Sequence, residues 1–182
     1  MSRLFIFFFL FSVTTCVAQK KIPSGVRKGL LRAEGSLAYG SGENSRYFLQ
    51  GELEYLVHNR VGINSMSYIS IGPAGIYPGG YHTIFSGPTF HFPMSKQLDF
   101  SLAAQPGLSF VSAKKTEENA AINEIVPNSS LMGTMAYYGS FFHVFFQMRA
   151  NAAYINDVKE RQNLSDLRLS FGLGWNLNFR VK

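Results

Sequence analysis

The chain has 182 residues, enough for one domain with a full core. Charged residues make up only 15% of it, against about 25% in an average globular protein, and aromatic residues another 15%. The formal net charge is +6, but no basic stripe interleaved with aromatics accompanies it, which argues against nucleic acid as a partner. This composition predicts an all-β protein with an unusually apolar surface.

Residues 1–18 have the organisation of a secretory signal peptide. A basic "MSR" precedes an apolar core, "LFIFFFLFSV", and small residues follow in "TTCVAQ". The apolar core is too short to cross a bilayer as a helix. We expect cleavage after Ala18; the alternative is that Cys16 is retained as a lipidated N-terminus. Cleavage after Ala18 would leave a mature chain without cysteine, and hence without disulfides.

Apolar and polar residues alternate from the end of a short polar leader, residues 19–29, almost to the last residue. Alternation predicts β-strands, because successive side chains of a strand point to opposite faces. It is clearest in "DLRLSFGLGWNLNFRV", residues 166–181, where every odd position is apolar. Eight strands are predicted, at 31–39, 46–57, 61–71, 83–92, 98–110, 130–141, 146–155 and 166–181.

The connections between these strands alternate in length, which is typical of an up-and-down antiparallel meander. Residues 30–182 are therefore predicted to form a single closed, antiparallel, up-and-down eight-stranded β-barrel. Short turns are expected at 58–60, 93–97 and 142–145, and longer loops at 40–45, 72–82, 111–129 and 156–165.

Alternation alone does not tell which face of the barrel is wet. A soluble, lipocalin-like barrel would hold Leu and Phe inside, whereas a transmembrane barrel would turn them towards lipid. Water-facing sheet surfaces normally carry charged residues such as lysine. All eight lysines fall in the leader, the turns, the loops or the last position. Most strands also have the roughly 9–11 residues that a tilted transmembrane strand needs, so the sequence predicts a transmembrane β-barrel.

This assignment of the strand faces predicts two groups of side chains. Aromatic side chains at both strand ends suit a girdle at the membrane–water interface: Tyr39, Tyr47 and Tyr154 towards the long loops, and Tyr55, Phe92, Phe100 and Phe179 towards the short turns. Charged side chains that point inward suit a lumen charge network: Arg32, Glu34, Glu52, Glu54, Asp99, Arg149 and Arg180.

Charges in so narrow an interior must pair or hold ordered water. Our hypothesis is that Arg149 bridges to Glu34 or Glu52, since its planar guanidinium can bind two carboxylate oxygens at once. Such a bridge would form a polar plug that braces the barrel and blocks passage. The alternative is a set of separately solvated groups in a water-filled lumen.

The signal ending "CVAQ", the hairpin "FLQGELEYLVHNRVGINSMSYISIG" and the terminal strand "SFGLGWNLNF" resemble one family. They are similar to the small eight-stranded outer-membrane barrels, which include the OmpA transmembrane domain and OmpX, and especially to the outer-membrane β-barrel domain proteins of Bacteroidetes. The resemblance implies a Gram-negative outer membrane, surrounding outer-membrane lipid and insertion by the barrel assembly machinery. An even strand number starting from a periplasmic leader places both termini in the periplasm.

The sequence offers little that could carry catalysis. The histidine–serine motif of outer-membrane lipid A deacylases is absent, no metal-ligand spacing occurs, and "GPAGIYPGG" lacks the lysine of a phosphate-binding loop. We expect no enzyme activity, catalytic residue, cofactor or metal.

The expected function is a structural or surface-interaction role, as a monomer with an unidentified surface partner at the loops 72–82 and 111–129. The alternative is a narrow porin-like channel, although eight strands leave an interior that their own side chains fill. Less favoured are a soluble lipocalin-like binding barrel and an outer-membrane lipid-modifying enzyme.

Overall fold

The computed structural model of the chain describes residues 25–43, 45–71, 80–113, 122–156 and 161–178. The predicted signal peptide, Cys16, Phe179 and Arg180 lie outside these residues. None of the described residues forms a helix that is long and apolar enough to cross a membrane. The strands are β1 Leu30–Gly42, β2 Arg46–His58, β3 Val61–Ser70, β4 Gly80–Pro93, β5 Leu98–Ala113, β6 Ile122–Tyr138, β7 Phe142–Asn156, β8 Arg161–Asn163 and β9 Asp166–Asn178.

Eight of these strands close into one antiparallel barrel, as predicted. Strands β1 to β7 each pair with the next along the chain, and β9 pairs with both β7 and β1. The short β8 pairs only with the end of β7. Strand β9 closes the barrel along the whole of β1, from Leu30↔Asn178 to Gly42↔Asp166. Closure leaves the barrel wall without an unpaired strand edge.

The barrel has two ends, which we name by their connections. The leader end holds the start of β1 and the short turns at 59–60, 94–97 and 139–141. The loop end holds the end of β1 and the connections from β3 to β4, from β5 to β6 and from β7 to β9. Each of the eight barrel strands runs from one end to the other, and the short β8 lies at the loop end.

Several predicted connections differ from the structure. The loop expected at 40–45 is shorter, because β1 continues to Gly42, and the loop expected at 156–165 contains β8. The segment 111–129 is mostly strand, because β5 continues to Ala113 and β6 begins at Ile122. Although this segment is rich in polar residues, its backbone pairs between β5 and β6, as in Val111↔Glu124 and Ser109↔Val126. The turn expected at 142–145 lies at 139–141 instead. The run "FFHVFF" hid the start of β7, since it places the large residues His143 and Phe145 on the inner face, where small polar residues were expected.

The barrel is inverted in polarity relative to a soluble protein. Leu37, Leu131 and Phe171 are 62%, 62% and 68% exposed on the outer face. On the inner face, Gln147, Arg149 and Arg168 are fully buried. The strands therefore adopt the register that the alternation predicted, with their apolar face outside.

Candidate functional site

Ion pairs fill the leader-end half of the lumen. Arg32 on β1 lies 3.5 Å from Glu34 Oε1 and pairs closely with Glu54 on β2. Its Nη1 atom donates a hydrogen bond to the hydroxyl of Tyr138 on β6. Both carboxylates are fully buried, so Arg32 supplies charge compensation that water cannot.

Two histidines extend this group across the lumen. His91 Nδ1 lies 2.6 Å from Asp99 Oδ2, and its Nε2 lies 3.0 Å from Glu54 Oε1. On the other side, His143 Nε2 lies 2.6 Å from Glu34 Oε1. Its Nδ1 lies 2.8 Å from Asn176 Oδ1. A continuous line of polar contacts thus joins β5 to β9 through Arg32.

Glu52 lies in a different environment from the other carboxylates. Its Oε1 accepts a hydrogen bond from the Asn64 amide. Its Oε2 accepts from Gln147 Nε2 at 3.2 Å and from Gln50 Nε2 at 3.4 Å. Amide groups, rather than a cation, satisfy this carboxylate.

Aromatic rings line the loop-end half of the lumen and cover its arginines. The Arg168 Cζ atom lies 4.3 Å from the ring centre of Phe48 and 4.6 Å from that of Tyr68. Its Nε donates to both Asp166 oxygens, at 3.0 and 2.9 Å. The contacts of Arg168 with the Phe48 and Tyr68 rings are cation–π interactions, which strengthen when the cation is removed from water.

Arg149 is the direct cross-strand neighbour of Arg168. Its Cζ atom lies 4.5 Å from the Phe85 ring centre, and its Nη2 donates to Gln105 Oε1 at 3.0 Å. Its Nη1 donates to the Ser130 hydroxyl. Neutral partners therefore hold this buried guanidinium.

The structure places six of the seven residues predicted for the lumen on the inner face and buries them; they are Arg32, Glu34, Glu52, Glu54, Asp99 and Arg149. The seventh, Arg180, lies outside the described residues.

The predicted bridge from Arg149 to Glu34 or Glu52 is wrong. Amide groups of Asn64, Gln50 and Gln147 bind Glu52, and Arg149 binds Ser130 and Gln105. Glu34 lies opposite Gly174 on the neighbouring strand β9, and Gly174 lies opposite His143 on β7. Arg149 lies six residues further along β7, or about 20 Å towards the loop end. Arg32 and His143 contact Glu34 instead.

The predicted charge network left out five charged or histidine side chains of the inner face: Arg46, His91, His143, Asp166 and Arg168. Arg168 could have been found, because it shares the even-numbered face of β9 with Gly172 and Gly174.

The predicted girdle residues within the described residues face outward. Tyr47 and Tyr154 are 58% and 44% exposed at the loop end, where the rings of Tyr39 and Tyr47 lie 5.4 Å apart. At the leader end, Phe92 is 50% exposed and its ring lies 6.3 Å from that of Phe100. Tyr55 is exposed at the same end.

A segment that we call the strap, residues 25–29, crosses the leader end of the lumen. Val26 packs against the buried inner-face residues Ala136, Tyr138 and Phe145. Gly25 has φ +106°, and a Cβ atom there would lie 2.8 Å from the Lys96 carbonyl oxygen. At the other side, Lys28 N donates to Asn59 Oδ1 at 3.0 Å. The strap therefore reaches from one short turn to another beneath the ion pairs.

Leu164 covers the lumen at the loop end. It is 8% exposed and belongs to an apolar cluster with Val111, Val126 and Ala153. Its carbonyl oxygen accepts a hydrogen bond from the Tyr81 hydroxyl at 3.0 Å. Apolar residues thus lie over the polar lumen at both ends. Among the described residues, no group of three or more His, Cys, Asp or Glu side chains could hold a metal ion.

Comparison with known proteins identifies the fold. No protein-family model and no curated protein sequence matches the chain. The outer membrane protein OprG of Pseudomonas aeruginosa matches with a TM-score of 0.64 at 8% identity, over 85% of this chain and 99% of that one. The N-terminal β-barrel domain of P. aeruginosa OprF matches with 0.60 at 10% identity, over 82% and 98%. Neisserial surface protein A matches with 0.60 at 13% identity, over 82% and 96%. At these identities the likeness shows the fold alone, that of the small eight-stranded outer-membrane β-barrels.

Proposed function

We propose that the protein is an integral outer-membrane barrel with a structural or surface-interaction role. The inverted polarity carries this proposal: large apolar side chains cover the outer face while fully buried arginines and carboxylates fill the inside. In water, such an exterior would expose apolar surface all around the barrel. In a bilayer, hydrocarbon covers it, and the closed backbone ladder leaves no unpaired strand edge in the barrel wall. A soluble, lipocalin-like barrel would need the opposite arrangement.

The proposed orientation puts the leader end in the periplasm. Small outer-membrane barrels have short periplasmic turns and longer extracellular loops. The turns of the leader end, at 59–60, 94–97 and 139–141, have two to four residues. At the loop end the β1–β2 connection at 43–45 is also short, but those from β3 to β4 and from β5 to β6 have nine and eight residues. The strap and the end of β9 both lie at that end, so both termini face the periplasm in this orientation.

A surface-interaction role would use the loop end. The β5–β6 hairpin continues beyond Asn128↔Ala153, the last pair between β6 and β7. Residues 122–127 of β6 therefore pair with β5 but not with β7. Ile125 is 64% exposed on this extension, which presents backbone and side chains beyond the barrel wall.

The packed lumen supports a barrel that does not conduct. An eight-stranded barrel is only wide enough for its own side chains. Here arginines, glutamines and aromatic rings occupy that width, and Val26 and Leu164 cover its two ends. Steady single-channel currents in planar bilayers would overturn this part of the proposal and favour the narrow channel.

Fluorescence quenching by brominated lipid tests the membrane location. Trp175, the only tryptophan, is 40% exposed on the outer face. Bromine on the acyl chains of phosphatidylcholine should quench it strongly in the refolded protein. A Trp175→Phe, Phe145→Trp variant is the matched control, since Phe145 is 1% exposed on the inner face. Equal quenching of both proteins, or quenching of neither, would overturn the proposed arrangement.

A further inference from the structure

The charged residues at the leader-end rim all carry the same sign. Arg27 and Lys28 lie on the strap, Arg60 in the β2–β3 turn, and Lys96 in the β4–β5 turn. Lys28, Arg60 and Lys96 are exposed, and Arg27 is half-buried. Among the described rim residues, at 25–29, 59–60, 94–97 and 139–141, there is no Asp or Glu.

These four residues occupy one sector of the rim, which we call the basic arc. The Lys28 N to Asn59 Oδ1 hydrogen bond holds Lys28 beside the turn that contains Arg60. The close approach of Gly25 to the Lys96 carbonyl brings the other end of the strap to the β4–β5 turn. The remaining described turn, 139–141, is Gly-Ser-Phe and carries no charge.

An apolar surface begins directly beside the basic arc. Val57, Phe92 and Met94 are 38%, 50% and 64% exposed at the leader ends of β2 and β4. The Phe92 and Phe100 rings lie 6.3 Å apart and form a continuous patch. A cationic rim next to an apolar patch fits a ligand with an anionic head and hydrocarbon chains.

We propose that the basic arc binds the phosphate of anionic phospholipids in the periplasmic leaflet, with their acyl chains on the patch around Phe92. This inference rests on the proposed membrane location. Lysine and arginine can lay their aliphatic stems along apolar surface while their charges reach a headgroup. Basic residues at a membrane surface attract anionic lipid. A soluble acidic partner would not need the apolar patch, and this difference favours lipid.

Native mass spectrometry of the detergent-purified protein tests the proposal. The protein is titrated with phosphatidylglycerol or with phosphatidylcholine of the same chain length, and the bound lipids are counted. Wild type should retain phosphatidylglycerol preferentially. An R27Q/K28Q/R60Q/K96Q variant should lose at least about tenfold in phosphatidylglycerol affinity and keep its phosphatidylcholine binding.

A variant with the same change in net charge is the control. K114Q/K115Q/K159Q/R161Q removes four basic residues that lie in the sequence at or next to the loop-end connections. It should bind phosphatidylglycerol like wild type. Equal loss in both variants, or none in the first, would overturn the basic arc as the site. Glycerol phosphate without acyl chains should not compete; full competition would show that the ligand is not a lipid.

Failure of this inference can be separated from failure of the proposed function. If Trp175 is quenched by brominated phosphatidylcholine but phosphatidylglycerol is not preferred, only the basic arc proposal fails. If Trp175 is not quenched, the membrane location itself fails.

Discussion

The two halves of the lumen hold buried arginines by different means. At the leader end, Arg32 lies between the carboxylates of Glu34 and Glu54. At the loop end, Arg149 and Arg168 lie against the rings of Phe85 and Phe48, at 4.5 and 4.3 Å. One half compensates the cation with charge and the other mainly with polarisable rings and neutral acceptors.

The two halves therefore differ in what an arginine does: Arg32 links carboxylates from different strands, whereas Arg149 packs against neutral groups. Arg32 joins carboxylates that would otherwise be buried without a cation, so several strands depend on it. Removing Arg149 breaks no ion pair, because its hydrogen-bond and ring partners are neutral. Two equally buried arginines should therefore contribute very differently to stability.

The largest expected effect comes from Arg32→Met. The substitution keeps much of the side-chain volume but leaves Glu34 and Glu54 without their guanidinium. Breaking a buried ion pair on one side costs about 3–5 kcal/mol. We expect a loss of this size in the free energy of unfolding, measured by urea titration in lipid bilayers with Trp175 fluorescence. Arg149→Met is the matched control and should cost much less, or nothing; equal losses would remove the distinction between the halves.

Arg168→Met should have the next largest effect. Arg168 combines ring contacts with hydrogen bonds to Asp166 and to Thr83 Oγ1, the latter at 2.6 Å. A desolvated cation–π contact is worth about 2 kcal/mol, and we expect a total loss of about 2–3 kcal/mol in the same titration. Asp166 is less buried than Glu34 and can regain water at the mouth. A loss as large as that of Arg32→Met would show that the unpaired Asp166 carboxylate, rather than the lost ring contacts, accounts for most of the cost.

The strand register could be predicted from the sequence because lipid favours apolar side chains at the outward positions of a strand. In β9 Leu167, Leu169, Phe171 and Leu173 occupy these positions and fix the two faces without knowledge of its neighbours. The same rule places Arg32, Glu34, Glu52 and Glu54 inside. Whether a side chain faces the lumen or the outer surface can therefore be predicted from its own strand alone.

The contacts within the lumen could not be predicted in the same way. Partners such as His143 and Glu34 are 109 residues apart and meet only because β1, β9 and β7 share a particular stagger. The alternation of a strand carries no information about that stagger. For this reason Arg149 was assigned to the wrong carboxylates, although its inward direction was predicted from its face.

A pair of glycine substitutions probes the packing of the leader-end half. An alanine methyl group at Gly174 would overlap the His143 ring and lie 2.8 Å from Glu34 Cγ. Gly174→Ala should cost about 1–2 kcal/mol, since the ends of these side chains can shift only a little within a filled lumen. Gly35→Ala is the control, because no heavy atom lies within 4 Å of a Cβ atom there. A cost for Gly35→Ala equal to that for Gly174→Ala would mean that backbone effects, rather than lumen crowding, dominate.

The smallest effect is expected for Glu52→Gln, although Glu52 is as buried as the other carboxylates. Asn64, Gln50 and Gln147 bind it through amide groups, so the substitution breaks no ion pair. The glutamine keeps one acceptor oxygen for Asn64. Rotation of both the Gln50 and the Gln147 amides can supply acceptors for the new NH₂ group, because the hydroxyls of Ser36 and Tyr68 can accept instead of donate. We expect a loss of about 1 kcal/mol or less, the net worth of one hydrogen bond.

Glu54→Gln provides the comparison for this last substitution. It makes the same chemical change two residues along β2, but it removes the charge that pairs with Arg32 and contacts His91. It should therefore cost several times more than Glu52→Gln in the same urea titration. If the two variants lose equal stability, the lumen responds to the number of its charges rather than to their pairing, and the leader-end group does not act as a linked unit.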